Sequence, residues 1–230
     1  MPHRNSQILI EAARLLKPML GEIAFVGGST TALLITDPGA PDVRPSYDVD
    51  AIAEISSYAA YADFSQRLRN LGFREDNTEG APICRWLQNN TILDVMPLDE
   101  RILGFSNRWY KPAMDYAEEC ELEPDLRVRV VTSIYFCATK LEAFAGRGKG
   151  DYVLSKDLED LVTVIDGRAE FVEEIRLAPH AVKTYIASEV KKLLGTAEFT
   201  DALPGYLLPD PASQARMRPL LARIKEIAAL

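Results

Sequence analysis

Thiol and imidazole chemistry are nearly missing from this sequence: 3 cysteines and 2 histidines stand among 230 residues. Cys84, Cys120 and Cys137 are odd in number, widely spaced and without a CxxC pair. Neither a disulfide framework nor a zinc site is expected, and each cysteine reads as a small apolar side chain. His3 and His180 are too few for a histidine-rich metal centre or most Ser-His-Asp schemes, and His180, after Pro179, reads as a helix start. No apolar run approaches the ~20 residues of a membrane span. Ile8, Leu9 and Ile10 are followed by Glu11 and Arg14, which break any secretory h-region, so the expectation is a cytoplasmic protein with no membrane partner. An excess of positive charge is lacking too. The 26 Lys and Arg against 34 Asp and Glu leave a net charge of −8, and the average field does not attract nucleic acid.

What is present is a 47% hydrophobic chain, long enough for one large domain or two small ones. Ile8, Ala12, Leu15, Leu16 and Met19 fall at helical spacing over Gln7 to Leu20, and a short strand follows at Glu22 to Val26. A helix is expected over Thr30 to Ile35, ended by the breaker-rich Asp37-Pro38-Gly39-Ala40-Pro41, and a strand over Tyr47 to Ile55. Tyr58, Tyr61, Phe64, Leu68 and Leu71 mark a sheet-covering helix stopped by Gly72. Phe73 to Asp76 reads as a short strand, and Ile83 to Leu87 with Thr91 to Val95 as a hairpin about Asn89-Asn90. From about Thr132 the pattern is helical: Ser133 to Ala145, Ser155 to Ile165, Ala169 to Leu177, Ala181 to Leu194 and Gln214 to Ala229. The expected fold class is α+β, with a mixed-sheet domain over 1–125 and a helical domain over 126–230.

Two stretches carry chemistry. In Phe25-Val26-Gly27-Gly28-Ser29-Thr30-Thr31 a strand runs into a glycine turn that opens a helix. Glycines there let backbone amides approach phosphate, the helix N-terminus adds partial positive charge, and Ser29 offers a hydroxyl. In Arg44-Pro45-Ser46-Tyr47-Asp48-Val49-Asp50 two carboxylates stand at i and i+2 on a strand, hence on one face. Hard oxygen ligands suit magnesium, which takes only a few carboxylates and fills its shell with water and phosphate. Asp94, inside the apolar Ile92-Leu93-Asp94-Val95-Met96, is costly to bury unless paired or bound to metal, and is the candidate third acid. Taken singly, the glycine turn reads as an ordinary strand-to-helix connection, Asp48 and Asp50 as a solvent-facing strand edge, and Asp94 as a carboxylate next to the Asn89-Asn90 turn; together they read as a nucleotide and metal site.

These residues resemble the DNA polymerase β-type nucleotidyltransferase superfamily: Gly-Gly-Ser, then Arg44-x-Ser46-x-Asp48-Val49-Asp50, then Asp94. The later Ala138-Thr139-Lys140-Leu141-Glu142-Ala143, Arg147-Gly148-Lys149 and Ser155-Lys156-Asp157-Leu158-Glu159-Asp160-Leu161 resemble its AbiEii/AbiGii branch, and the resemblance covers roughly Ile23 to Asp166. It implies a polymerase β-like mixed sheet with flanking helices and a C-terminal helical bundle. It implies Mg2+, or Mn2+, as cofactor and transfer of NMP from an NTP to an acceptor hydroxyl. The acceptor would be RNA, at a tRNA 3′ end, in a toxin neutralised by an antitoxin protein. Position by position, Gly27, Gly28, Ser29, Thr30 and Arg44 would hold the nucleotide. Asp48, Asp50 and Asp94 would hold metal, Lys140 the triphosphate, and Asp157 would supply a further acid.

Lys140 is the sole cation of Ile134 to Ala145, and its amine either snorkels to solvent or reaches an anion. Asp157 lies at the edge of the Leu158-Leu161-Ile165 stripe, with Asp160 expected on the opposite side. Arg147, Lys149 and Lys156, set among Gly146, Gly148 and Gly150, form a basic loop that reads equally as a solvated turn or a phosphate contact. Two other functions stay open: the same transfer to a small molecule or a protein side chain, and a non-catalytic nucleotide-binding module.

Overall fold

The computed structural model describes residues 4–148 and 150–230. The chain divides into two compact units, Met1–Leu33 with Arg44–Thr132, and Leu34–Val43 with Ser133–Leu230.

The first unit is built on a mixed seven-stranded sheet. Its elements are α1 (Arg4–Leu15), β1 (Ile23–Val26), α2 (Thr31–Leu34, the last residue of which belongs to the second unit), β2 (Val49–Ala53), α3 (Tyr58–Asn70), β3 (Arg74–Glu75), β4 (Arg85–Gln88), β5 (Thr91–Pro97), α4 (Glu100–Leu103), α5 (Tyr110–Asp115), β6 (Glu118–Glu123) and β7 (Leu126–Val130). The strand order is β3-β4-β5-β2-β1-β7-β6. β2 runs parallel to β5 and antiparallel to β1, and β1 runs parallel to β7. β1, Ile-Ala-Phe-Val, is buried at all four positions, as an interior strand covered on both faces must be. Leu9, Ala12 and Ala13 from the first helix, Leu16 just after it, and Phe64 and Leu68 from α3 pack with Phe25, Ala51, Trp86 and Leu93 in one apolar cluster.

Several boundaries differ from the sequence pattern for identifiable reasons. α1 stops at Leu15, short of the expected Leu20, and a 3-10 turn follows over Lys17–Glu22. Pro18 has no N–H to donate and its ring crowds the carbonyl four residues back, so the α-helix ends before it. The expected helix from Thr30 is a 3-10 turn over Gly28–Thr30 followed by a single α turn, α2. So short a helix adds little beyond its own N–H groups, and the axial dipole expected there is small. α3 begins as read, with the Ser57 hydroxyl accepting from the Ala60 amide at 3.1 Å, and ends before Gly72, whose φ is +95°. The β4/β5 hairpin closes on Asn89, φ 51°. The β6/β7 hairpin carries an apolar alternation, Leu126, Val128 and Val130 buried between arginines, that was not assigned from sequence.

The second unit holds α6 (Ser133–Arg147), α7 (Lys156–Gly167), α8 (Phe171–Leu177), α9 (His180–Leu194), α10 (Ala197–Ala202), α11 (Pro211–Ala215) and α12 (Met217–Ile227). The last expected helix is thus two: Pro219 has no N–H for the Ala215 carbonyl, and the chain breaks at Arg216. The sheet extends to β7, so the helical unit starts at Ser133, and the proline-rich segment 34–43 belongs with it. Its attachment combines buried Leu34 and Val43 and the packing of Ile35 and Ala40 against Gly167 with polar contacts. Thr36 and Asp37 amides donate to Gly167 O at 3.0 and 2.9 Å, and Arg216 reaches Asp166 Oδ2 at 2.6 Å and Asp37 Oδ2 at 2.7 Å. Asp166 is buried. Removing the cation would strand its charge, so Arg216→Ala is expected to cost about 3 kcal/mol, read as a lowered chemical-denaturation midpoint. A change below about 0.5 kcal/mol would return this staple to the class of surface pairs.

No helix among the described residues is long and apolar enough to cross a membrane.

Candidate functional site

The register of the sheet puts the acids in a row. Val26 of β1 lies opposite Asp50 of β2, Asp50 opposite Asp94 of β5, and Asp94 opposite Arg85 of β4. Directly opposed residues share a face, so Asp50, Asp94 and Arg85 project together. β2 begins only at Val49, and Asp48 sits on the bend before it rather than on a strand as expected. It joins the row through Arg85, whose Nη2 donates to Asp48 Oδ2 at 2.9 Å. The same guanidinium grips Asp94 with both arms, Nε to Oδ1 and Nη2 to Oδ2, each at 2.8 Å. Asp94 is 7% exposed, and this fork is what makes its burial tolerable. The two carboxylates also hold the Arg85 charge, raising its pKa above the ordinary arginine value.

The glycine turn meets this row. Gly27 has φ +79° and ψ −169°, a region open essentially to glycine alone. A Cβ there would stand 1.9 Å from Asp50 Oδ2. Gly27 is therefore required twice, by its backbone and by the carboxylate lying over it. Gly27→Ala is expected to destabilise the fold by about 1–3 kcal/mol and to displace Asp50, so that the unfolding midpoint falls. An unchanged midpoint would contradict this geometry.

The loop's hydroxyls are not equivalent. Thr30 Oγ1 donates to the Gly27 carbonyl at 2.9 Å, which closes the turn. Ser29 and Thr31 are fully buried, and their hydroxyls have no hydrogen-bond partner among the described residues. Leaving such a group unsatisfied costs about 1–3 kcal/mol, which an oxygen-rich ligand would offset. Gly28 is buried beside them, and its carbonyl accepts from Asn5 Nδ2 at 3.1 Å.

Asn5 links the two motifs, and no local signal marks it. It is buried on α1, and Nδ2 also donates to the Arg44 carbonyl at 3.0 Å while Oδ1 accepts from the Ser46 amide at 2.8 Å. One side chain thus fixes the turn that carries Ser29 to the segment that carries Asp48. Ser46 in turn lies with its hydroxyl 3.3 Å from Asp48 Oδ1. Cys84, beside Arg85, is no nucleophile: burial, then the charges of Asp94 and Asp50, push its thiol up to about 12.

The second unit has its own cluster. Lys140 on α6 is buried, and its Nζ lies 3.2 Å from Asp157 Oδ1 and 2.6 Å from Asp160 Oδ2, both on α7. The amine reaches anions rather than solvent. Asp160 does not lie on the opposite side of α7 from Asp157. Three residues at 100° each leave the two acids only about 60° apart. Arg147 adds two bonds to Asp157, at 3.1 Å each. Burial raises the Asp157 carboxyl, but the Lys140 charge and the Arg147 contacts prevail and hold it below the usual carboxylate range. Lys149 lies outside the described residues.

Among the described residues no group of three or more His, Cys, Asp or Glu side chains is arranged to hold a metal ion. Asp48 and Asp50 are hard oxygen donors of the type a dication takes, with Asp48 also bonded singly by Arg85 and Asp94 held by its two-armed fork.

Neither a family model nor a curated protein matches the chain. Among solved structures, the chain is similar to the crystal structure of an antigenic nucleotidyltransferase-like protein from Paracoccidioides brasiliensis. The identity is 18% and the TM-score 0.49, with 88% of this chain and 93% of that chain covered.

Proposed function

We propose that the chain is a metal-dependent nucleotidyltransferase that moves NMP from an NTP to an acceptor hydroxyl. The observation that carries this reading is the row of Asp50, Asp94 and Arg85 with Asp48 beside it, closed by a Gly27 turn with no room for a side chain. Asp48 and Asp50 would hold Mg2+ or Mn2+. When bound, the cation would neutralise the triphosphate and lower the pKa of the attacking hydroxyl. Gly27 gives the chain room beneath Asp50, and Ser29 and Thr31 offer hydroxyls to phosphate oxygens. Asn5 holds these groups in register with Asp48. Lys140, Asp157 and Arg147 satisfy one another inside the helical unit, and no step is routed through them.

RNA, at a tRNA 3′ end, is the acceptor we infer from the motif resemblance, which also supports a toxin role with an antitoxin partner. The net charge of −8 favours a second reading, transfer to a small molecule or a protein side chain, because RNA gains nothing from the chain's average field. Labelling separates them: α-labelled NTP with total RNA yields a labelled RNA band in the first case, and labelled polypeptide or small product in the second. Expression should arrest growth if the toxin reading holds, whereas harmless expression of active enzyme would remove it.

A further inference from the structure

We propose that Arg85 is a displaceable internal counter-ion: it holds Asp94 in a lasting pair and Asp48 in an exchangeable one, and cation uptake at Asp48 and Asp50 releases it from Asp48. This rests on the metal-site reading above and gives Asp94 a different part from the ligand role the motif implies. Asp94 anchors Arg85, and Arg85 positions the row.

The two halves of the Arg85 contact are unequal. Toward Asp94 it is a two-armed fork at 2.8 Å and 2.8 Å, with the Asp94 side chain 9% exposed. Toward Asp48 it is a single bond from Nη2 at 2.9 Å, with the Asp48 side chain 37% exposed. Bidentate, shielded pairs are the strong ones, and single, solvated contacts exchange readily. Asp48 is therefore the partner that lets go.

The charges lead to the same division of roles. Asp48, Asp50 and Asp94 with Arg85 sum to a net −2, the charge one divalent cation cancels. A guanidinium on Asp48 and a dication on Asp48 repel each other, so they compete for that carboxylate. Nη2 carries two N–H groups, one on each acid. Release from Asp48 frees one of them while Asp94 keeps the other in place. The freed donor suits a phosphate oxygen, which makes cation uptake a precondition for triphosphate binding.

The test is Mn2+ binding without nucleotide, followed by electron paramagnetic resonance on wild type, Arg85→Met and Arg85→Lys. Removing the competitor in Arg85→Met should tighten Mn2+ binding about tenfold or more. Arg85→Lys, which keeps the charge but loses the fork, should tighten it less, by about threefold, and provides the answer if Arg85→Met does not fold. Wild-type binding with no tightening in a folded variant overturns the counter-ion role while leaving the metal reading intact. Absence of Mn2+ binding in every variant overturns both.

Discussion

Asp50→Asn is expected to lower nucleotidyl transfer by about 1000-fold or more, equivalent to about 4 kcal/mol of transition-state stabilisation, while the protein stays folded. Asp50 stands mid-row between Val26 and Asp94, over a glycine that clears space for its carboxylate. The amide keeps that shape and removes only the charge that would hold the dication. Because Asp94 lies directly opposite, losing one of two neighbouring negative charges should leave the unfolding midpoint unchanged or slightly raised. Transfer within about tenfold of wild type, measured on the folded variant, would remove Asp50 from the chemistry.

Lys140→Met is expected to destabilise the helical unit by about 3–5 kcal/mol, for a reason separate from catalysis. The ammonium lies between Asp157 and Asp160, whose side chains are 10% and 1% exposed. Without it two buried like charges face each other a turn apart. The pH dependence carries a sign. In the wild type the Asp157 carboxyl is held low, so its contribution is present above the unfolded value, near 4, and is lost as pH falls through the lower folded value. In Lys140→Met the largest lowering charge is gone, and burial pushes the Asp157 carboxyl upward instead. That variant should therefore regain stability as pH is lowered from about 7 to about 5, where the wild type changes little. A Lys140→Met protein as stable as wild type at neutral pH would show that the contacts to Asp157 and Asp160 contribute nothing to stability.

How far these features were legible depends on the range of the interaction. Glycine turn, hairpin and amphipathic helices are local, and their periodicity gives their type and approximate place. Arg85 was reachable and missed. A hairpin closing on Asn89-Asn90 with Gln88 opposite Thr91 requires position 85 to lie opposite 94, so the partner of the buried Asp94 follows from the turn alone. The side assigned to Asp160 failed on helical arithmetic rather than missing information. Asn5 is another matter. Its partners lie 23 to 41 residues away, and nothing local in Arg4-Asn5-Ser6 signals them. Nor does local pattern reveal that segment 34–43 joins the helical unit, because that depends on the distant Arg216 and on Gly167.

The most direct measurement incubates purified protein with Mg2+, total RNA and each α-labelled NTP in turn, beside Asp50→Asn. Wild-type label entering a product with at least one NTP, and none with Asp50→Asn, is the predicted result; a discrete RNA band would identify the acceptor as well. Equal labelling by both proteins, or none in RNA, polypeptide or small molecules under any NTP, would contradict a metal-dependent nucleotidyltransferase centred on Asp48 and Asp50.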